Sequence, residues 1–172
     1  GLGVDIRTGT RLGEDFSLED LRNEGYEAVF LGIGTPGGIT LRIPGHDAEG
    51  TRDAIGFLRE YNLKGNVRVG RKVVVVGGGN CATDAARTAL RLGAEVTMVY
   101  RRTREEMPAY TEEIEEALAE GVTIRTLVNP DEILTDANGR VSGVRCRRMK
   151  LGDYDRSGRR RPEEGEEAFE IE

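Results

Sequence analysis

The run Lys72-Val73-Val74-Val75-Val76-Gly77-Gly78-Gly79-Asn80-Cys81-Ala82-Thr83-Asp84 leaves the rest of the chain few options. Four consecutive valines predict a strand covered on both faces, as in a parallel sheet. Three glycines stop the strand. An alanine-rich helix follows, with Ala82, Ala85, Ala86, Ala89 and Leu90 at helical spacing and Leu92-Gly93 at its end. Strand, glycine turn and helix make the first half of a βαβ unit that takes a dinucleotide. Gly77 lets the chain turn sharply out of the strand. Gly79, without a Cβ, lets a pyrophosphate approach the backbone. Ala82 holds the third position of G-x-G-x-x-G/A and lets helix and strand come close. The pyrophosphate would sit on the unpaired N–H groups of the helix N-terminus. The alternative is a glycine turn that binds nothing, but this order of elements is the context that supports the motif.

Glu95-Val96-Thr97-Met98-Val99-Tyr100 predicts strand two. An NAD site carries an acidic residue about 20 residues past the glycines, to bind the ribose 2′-hydroxyl. Here that place holds Tyr100-Arg101-Arg102, with Arg104 just beyond. A carboxylate repels a 2′-phosphate, whereas a guanidinium fork binds one bidentately. The residues therefore point to NADP(H). The competing reading is a solvated basic strand end.

Composition narrows the rest. A chain of 172 residues suits one domain, or one domain and a piece of another. Apolar residues make up 37%, and no run approaches the roughly 18 that a membrane-spanning helix needs, so no membrane role is expected. Gly1 to Gly9 lacks the basic start and apolar stretch of a signal peptide. The two cysteines, Cys81 and Cys146, give neither a disulfide framework nor metal spacing, and a reducing cytoplasm is the expected setting. A net charge of −6 argues against a nucleic-acid partner.

In chain order, Val4–Arg7 predicts a short strand. Ser17 caps a short helix with Asp20 in a capping-box position, closed by Gly25. Tyr26–Gly32 predicts a buried strand, one that needs sheet neighbours. Thr51 is placed to cap a helix reaching about Tyr61. A helix from Thr111 to Glu120 ends at Gly121, and Val122–Leu127 predicts strand three. Glu132–Leu134 and Val141–Met149 predict a hairpin turned at Asn138-Gly139. Asp153 to Glu167 reads as a charged loop, before a last short strand around Phe169–Ile171.

His46 lies in a turn with no identifiable partner and reads as a surface residue. Cys81 opens a helix, a position that lowers a thiol pKa, yet packing or cofactor contact is favoured over redox work. Asp84 reads as structural. No catalytic side chain is singled out, because at a dinucleotide site the cofactor carries the chemistry. Arg159-Arg160-Arg161 reads as a solvated loop facing the acidic stretch Glu163–Glu172.

With these residues laid out, the chain resembles the FAD- and NADPH-linked small-subunit family of bacterial glutamate synthase. That family includes the NADPH-binding part of dihydropyrimidine dehydrogenase and NADPH:ferredoxin oxidoreductase-type subunits. The matching stretches are Tyr26–Gly34, Ile43–Gly45, Ala54–Leu58, Gly77–Asp84, Arg91–Ala94, Tyr100–Arg102 through Met107-Pro108-Ala109, and Gly158–Pro162. The resemblance implies an α/β fold: a Rossmann-like, three-layer parallel-sheet NADPH domain of a flavoprotein with two dinucleotide-binding domains, carrying an antiparallel hairpin. It implies that residues 1–45 are a remnant of the FAD-binding domain and 46–172 an NADP(H)-binding domain, incomplete at its C-terminus. It places Gly77, Gly78, Gly79, Asn80, Cys81 and Ala82 at the nucleotide, Arg101 and Arg102 on its 2′-phosphate, and Gly34 and Thr35 near FAD. The implied parent passes hydride from NADPH to FAD and electrons on to a large catalytic or iron–sulfur subunit. FAD and iron–sulfur clusters belong to that parent and are not expected on this stretch. A nucleotide-binding or docking module without turnover stands as the alternative.

Overall fold

The computed structural model describes residues 3–35, 37–156 and 158–172, and the chain divides into two units, Gly1–Pro36 and Gly37–Glu172. The first unit carries one helix among its described residues, α1 (Leu18–Asn23). Its capping box forms as the sequence predicts: the Ser17 hydroxyl oxygen accepts the Asp20 N–H, and the Asp20 carboxylate accepts the Ser17 N–H. The strands expected at Val4–Arg7 and Tyr26–Gly32 do not form, and Phe30 is 95% exposed. A solitary extended segment leaves its backbone N–H and C=O groups without a ladder, so apolar β-propensity alone builds nothing. Gly34, at φ 64°, and Thr35 lie exposed near the end of this unit.

The second unit begins its regular structure with α2 (Ala54–Lys64). Asp53 caps it, accepting the Gly56 N–H at 2.8 Å, whereas the Thr51 hydroxyl expected there donates to the carbonyls of Ala48 and His46. Next come β1 (Lys72–Val76), α3 (Asn80–Arg91), β2 (Glu95–Tyr100), α4 (Thr111–Glu120) and β3 (Thr123–Thr126). The three strands are parallel in the order β1-β2-β3, with Val76 beside Val99 and Tyr100 beside Thr126. Helices join parallel neighbours, as the sequence predicts.

Side-chain alternation then makes two cores. Val73, Val75, Val96, Met98 and Tyr100 face the helices, packing with Phe57, the α3 alanines, Ile114 and Ala117. Val74 and Val99 face the other way. They meet Val128, Val144, Cys146, Phe169 and Ile171 of a second, antiparallel sheet: β4 (Val128–Thr135), β5 (Val141–Tyr154) and β6 (Arg160–Ile171), in that order. The three layers are thus helices, parallel sheet and antiparallel sheet. The expected turn holds β4 to β5, with the Asp136 carboxylate accepting the N–H groups of Asn138 and Arg140.

The polar stretch read as a loop from Asp153 to Glu167 is instead largely strand. β6 extends from Arg160, and its acidic residues lie opposite basic ones of β5, as in Lys150–Glu163 and Arg145–Glu170. Cross-strand charge pairs stabilise such a ladder where apolar alternation is missing. Leu127, at φ 54°, makes the corner between the two sheets, where its N–H donates to the Arg102 carbonyl and its own carbonyl accepts the Met149 N–H.

An ionic clasp joins the two helices behind the sheet. Arg87 of α3, with 14% of its side chain exposed, pairs with Glu113, Glu116 and Glu120 of α4, and Arg91 adds a second contact to Glu120. Hydrogen bonds from Arg87 and then Arg91 hold the Glu120 carboxyl below the usual glutamate range. A depressed carboxylate contributes stability above its unfolded pKa of about 4.3, and that contribution fades as pH falls through the lower folded value. The thermal midpoint should therefore drop as pH is lowered below about 4.3. Arg87→Ala should lower the midpoint at neutral pH by about 2–4 °C and flatten that acid limb, as calorimetry across pH would show.

Candidate functional site

The mouth of the site is built where β1 ends. Gly77 stands at φ 137°, a conformation open to glycine and costly for any other residue, and a Cβ there would lie 3.1 Å from Ala82. Its N–H donates to the Val99 carbonyl, which carries the β1–β2 register into the turn. Gly78 is buried for a different reason: a Cβ would come within 2.7 Å of the Tyr100 ring. At Gly79 a Cβ would meet nothing closer than Pro108, at 3.8 Å.

Gly79 is also the N-cap of α3, and no side chain caps it. The first N–H groups of a 12-residue helix thus point out of the turn with the positive end of its dipole. Open space at Gly79 and an uncapped helix start together suit the phosphates of a dinucleotide, and Asn80, Cys81 and Ala82 follow as the first residues of that helix. Asn80 also ties down the next loop, its side-chain oxygen accepting the Tyr110 N–H at 2.9 Å, while the Ala109 N–H donates to the Gly78 carbonyl at 3.0 Å. The segment Pro108–Tyr110 is therefore strapped across the glycine turn. The Cys81 thiol is pushed up, first by burial and then by Asp84, opposite to the direction expected of a helix start. With the residue itself exposed, that suits a contact residue rather than a thiolate nucleophile.

The two arginines part company. Arg101 stands exposed at the end of β2, with no hydrogen bond or ion pair among the described residues. Arg102, expected to offer its fork to the same phosphate, lies elsewhere. It is 4% exposed, its Nε donating to the Arg160 carbonyl at 2.7 Å and its Nη2 to the Asp155 carboxylate at 2.6 Å. Successive residues leaving a strand project to opposite sides, so one arginine faces solvent and the other the β5–β6 hairpin.

Beside the mouth, a short 3-10 turn, Arg104–Glu106, is held by its own capping box. Burial raises the Glu106 carboxyl, but hydrogen bonds from the Arg160 and Thr103 N–H groups outweigh it and keep the group below its ordinary range. A groove of about 430 Å³ opens here between Thr103, Pro108, Tyr154 and Arg160. Glu105 and Glu106 line it together with Arg159 and Arg160, so its wall carries both signs of charge. Gly34 and Thr35 belong to the first unit. Sequence reasoning missed Tyr100 as the ring beneath Gly78. The parallel register held the signal, because a residue one step past the Val76–Val99 pair must lie beside the turn.

The chain is similar to known proteins in sequence and in fold. The chain is 48% identical over 166 residues to the NADPH-Fe(3+) oxidoreductase subunit beta of Geobacter sulfurreducens, covering 94% of this chain and 25% of that one. It is 39% identical over 175 residues to the glutamate synthase [NADPH] small chain of Escherichia coli, covering 95% of this chain and 37% of the relative. The chain thus spans well under half the length of these relatives. Among solved structures, Mycobacterium tuberculosis FprA in complex with NADPH shares the fold at a TM-score of 0.76 and 23% identity, over 94% of this chain and 51% of that one. A family model described as pyridine nucleotide-disulphide oxidoreductase matches residues 2–156, nearly the whole length, and the chain belongs to that family.

Proposed function

We propose that this chain is the NADP(H)-binding part of a flavin-dependent oxidoreductase related to the glutamate synthase small chain. The observation that carries the reading is the uncapped start of α3 behind the open face of Gly79, with Arg101 exposed at the end of the neighbouring strand. Gly77, Gly78 and Ala82 set the shape of the turn. Gly79, Asn80 and Cys81 offer backbone N–H groups to the pyrophosphate, and Arg101 meets the 2′-phosphate. Residues 46–172 form this nucleotide domain, and residues 1–45, with Gly34 and Thr35, belong to the flavin side. In the parent protein, bound NADPH supplies a hydride to FAD, and a large catalytic or iron–sulfur subunit takes the electrons on. A cytoplasmic setting fits two cysteines that both remain free thiols.

Calorimetric titration of the purified chain with NADPH and with NADH tests the reading. NADPH should bind more tightly, and Arg101→Ala should weaken NADPH about ten- to hundredfold, the cost of about 1.5–3 kcal/mol for a lost charged contact. Equal affinity for the two nucleotides would remove the selectivity, and binding of neither would remove the site.

A further inference from the structure

Among the described residues Arg102 is the one charged side chain that is buried. The residues flanking Arg101 are pinned on both sides. The Tyr100 hydroxyl donates to the Glu106 carbonyl at 2.8 Å, and the Arg102 carbonyl accepts the Leu127 N–H at 3.0 Å. The Thr103 hydroxyl donates to the Glu106 carboxylate at 3.1 Å, and that carboxylate also accepts the Arg160 N–H at 2.7 Å. Arg102 itself grips the hairpin at two points, the Arg160 carbonyl and Asp155. Between Tyr100 and Arg102 stands Arg101, which projects into solvent. A guanidinium in contact with a carboxylate has most of its charge cancelled at a distance, so Arg102 adds little pull on a phosphate.

We propose that Arg102 is a positioning residue, locked onto the β5–β6 hairpin by Asp155 and the Arg160 carbonyl, and that this lock sets the preference for a 2′-phosphate by fixing where Arg101 stands. The inference rests on the reading of the glycine turn as an NADP(H) site. It makes the hairpin a determinant of nucleotide choice through the grip of Asp155 on Arg102. Residues that act through others move a binding preference by modest factors rather than abolishing it.

The experiment measures the ratio of the NADH to the NADPH dissociation constant by calorimetry, with thermal midpoints recorded for every variant. Asp155→Asn should lower the ratio about three- to tenfold. In an Arg101→Ala background the same substitution should shift the ratio by less than about twofold, because its effect passes through Arg101. Arg102→Lys keeps the charge but loses the two-point grip, and it should lower the ratio as Asp155→Asn does. Asp155→Glu should restore the ratio to within about twofold of the unsubstituted chain. A rise in NADPH preference on Asp155→Asn would mean that Arg102 is a phosphate ligand freed by the substitution, and would overturn the proposal. Equal effects with and without Arg101, or a lowered midpoint at an unchanged ratio, would overturn it too. An unsubstituted chain with a ratio near one would instead refute the site reading on which the proposal stands.

Discussion

Gly78→Ala lowers the thermal midpoint by about 2–12 °C, whereas Gly79→Ala, one residue on, leaves it nearly unchanged and removes most nucleotide affinity. The difference is one of neighbours. A Cβ on Gly78 would lie 2.7, 2.8 and 3.0 Å from three atoms of the Tyr100 ring. That ring has little freedom to move: Tyr100 is 7% exposed, lies in the helix-side core, and is held through its hydroxyl by the Glu106 carbonyl. Forcing a methyl into a packed site costs about 1–3 kcal/mol. At Gly79 the backbone sits at φ −95° and ψ 169°, where alanine is at ease. Alanine is a poorer N-cap than glycine, but it also has less freedom to lose on folding, and the two effects nearly cancel. At the proposed site, an alanine methyl there would crowd a phosphate approaching the helix N–H groups. Loss of one such charge-assisted bond, at about 1.5–3 kcal/mol, weakens NADPH about ten- to hundredfold. Thermal melts and NADPH titrations on the two variants check the contrast, and it fails if both glycines behave alike.

The second large effect is Arg102→Ala, which should destabilise the chain by about 3 kcal/mol. Removing one partner of a buried ion pair leaves the other desolvated and uncompensated, at about 3–5 kcal/mol. The low end applies because the Asp155 side chain keeps 21% of its exposure. The Arg160 carbonyl loses its donor as well. Urea denaturation should show a lower midpoint at an unchanged slope. The double variant Arg102→Met with Asp155→Ala should recover part of the loss, since no carboxylate is then deprived of its guanidinium. A single variant as stable as the unsubstituted chain would mean that the hairpin does not depend on this pair.

Much of the fold was legible because it is local. The valine run, the three glycines and the alanine stripe specify strand, turn and helix from neighbouring residues alone. The bounds of α4, Thr111 to Glu120 with Gly121 in the left-handed conformation, were equally readable. The α1 box needed only Ser17 and Asp20. The departures from sequence expectation depend on residues far away in the chain. Tyr26–Gly32 has a strand's composition and pairs with no strand among the described residues. β6 has a loop's composition and becomes a strand because β5 lies beside it with the opposite charges. Thr51 and Asp53 are both good caps, and only the hydrogen bonds from Thr51 back to Ala48 and His46 leave the role to Asp53.

The candidate site divides along the same line. From the sequence alone came the dinucleotide turn, its uncapped helix and a basic strand end suited to a 2′-phosphate, since all three are patterns within some 30 consecutive residues of one βαβ unit. Only the tertiary structure separated Arg101 from Arg102, put Tyr100 under Gly78, and laid Pro108–Tyr110 across the mouth. Each of those outcomes turns on a partner distant along the chain — the hairpin, the neighbouring strand, the strap — and burial and hydrogen bonding there, not residue type, decide which way a side chain points.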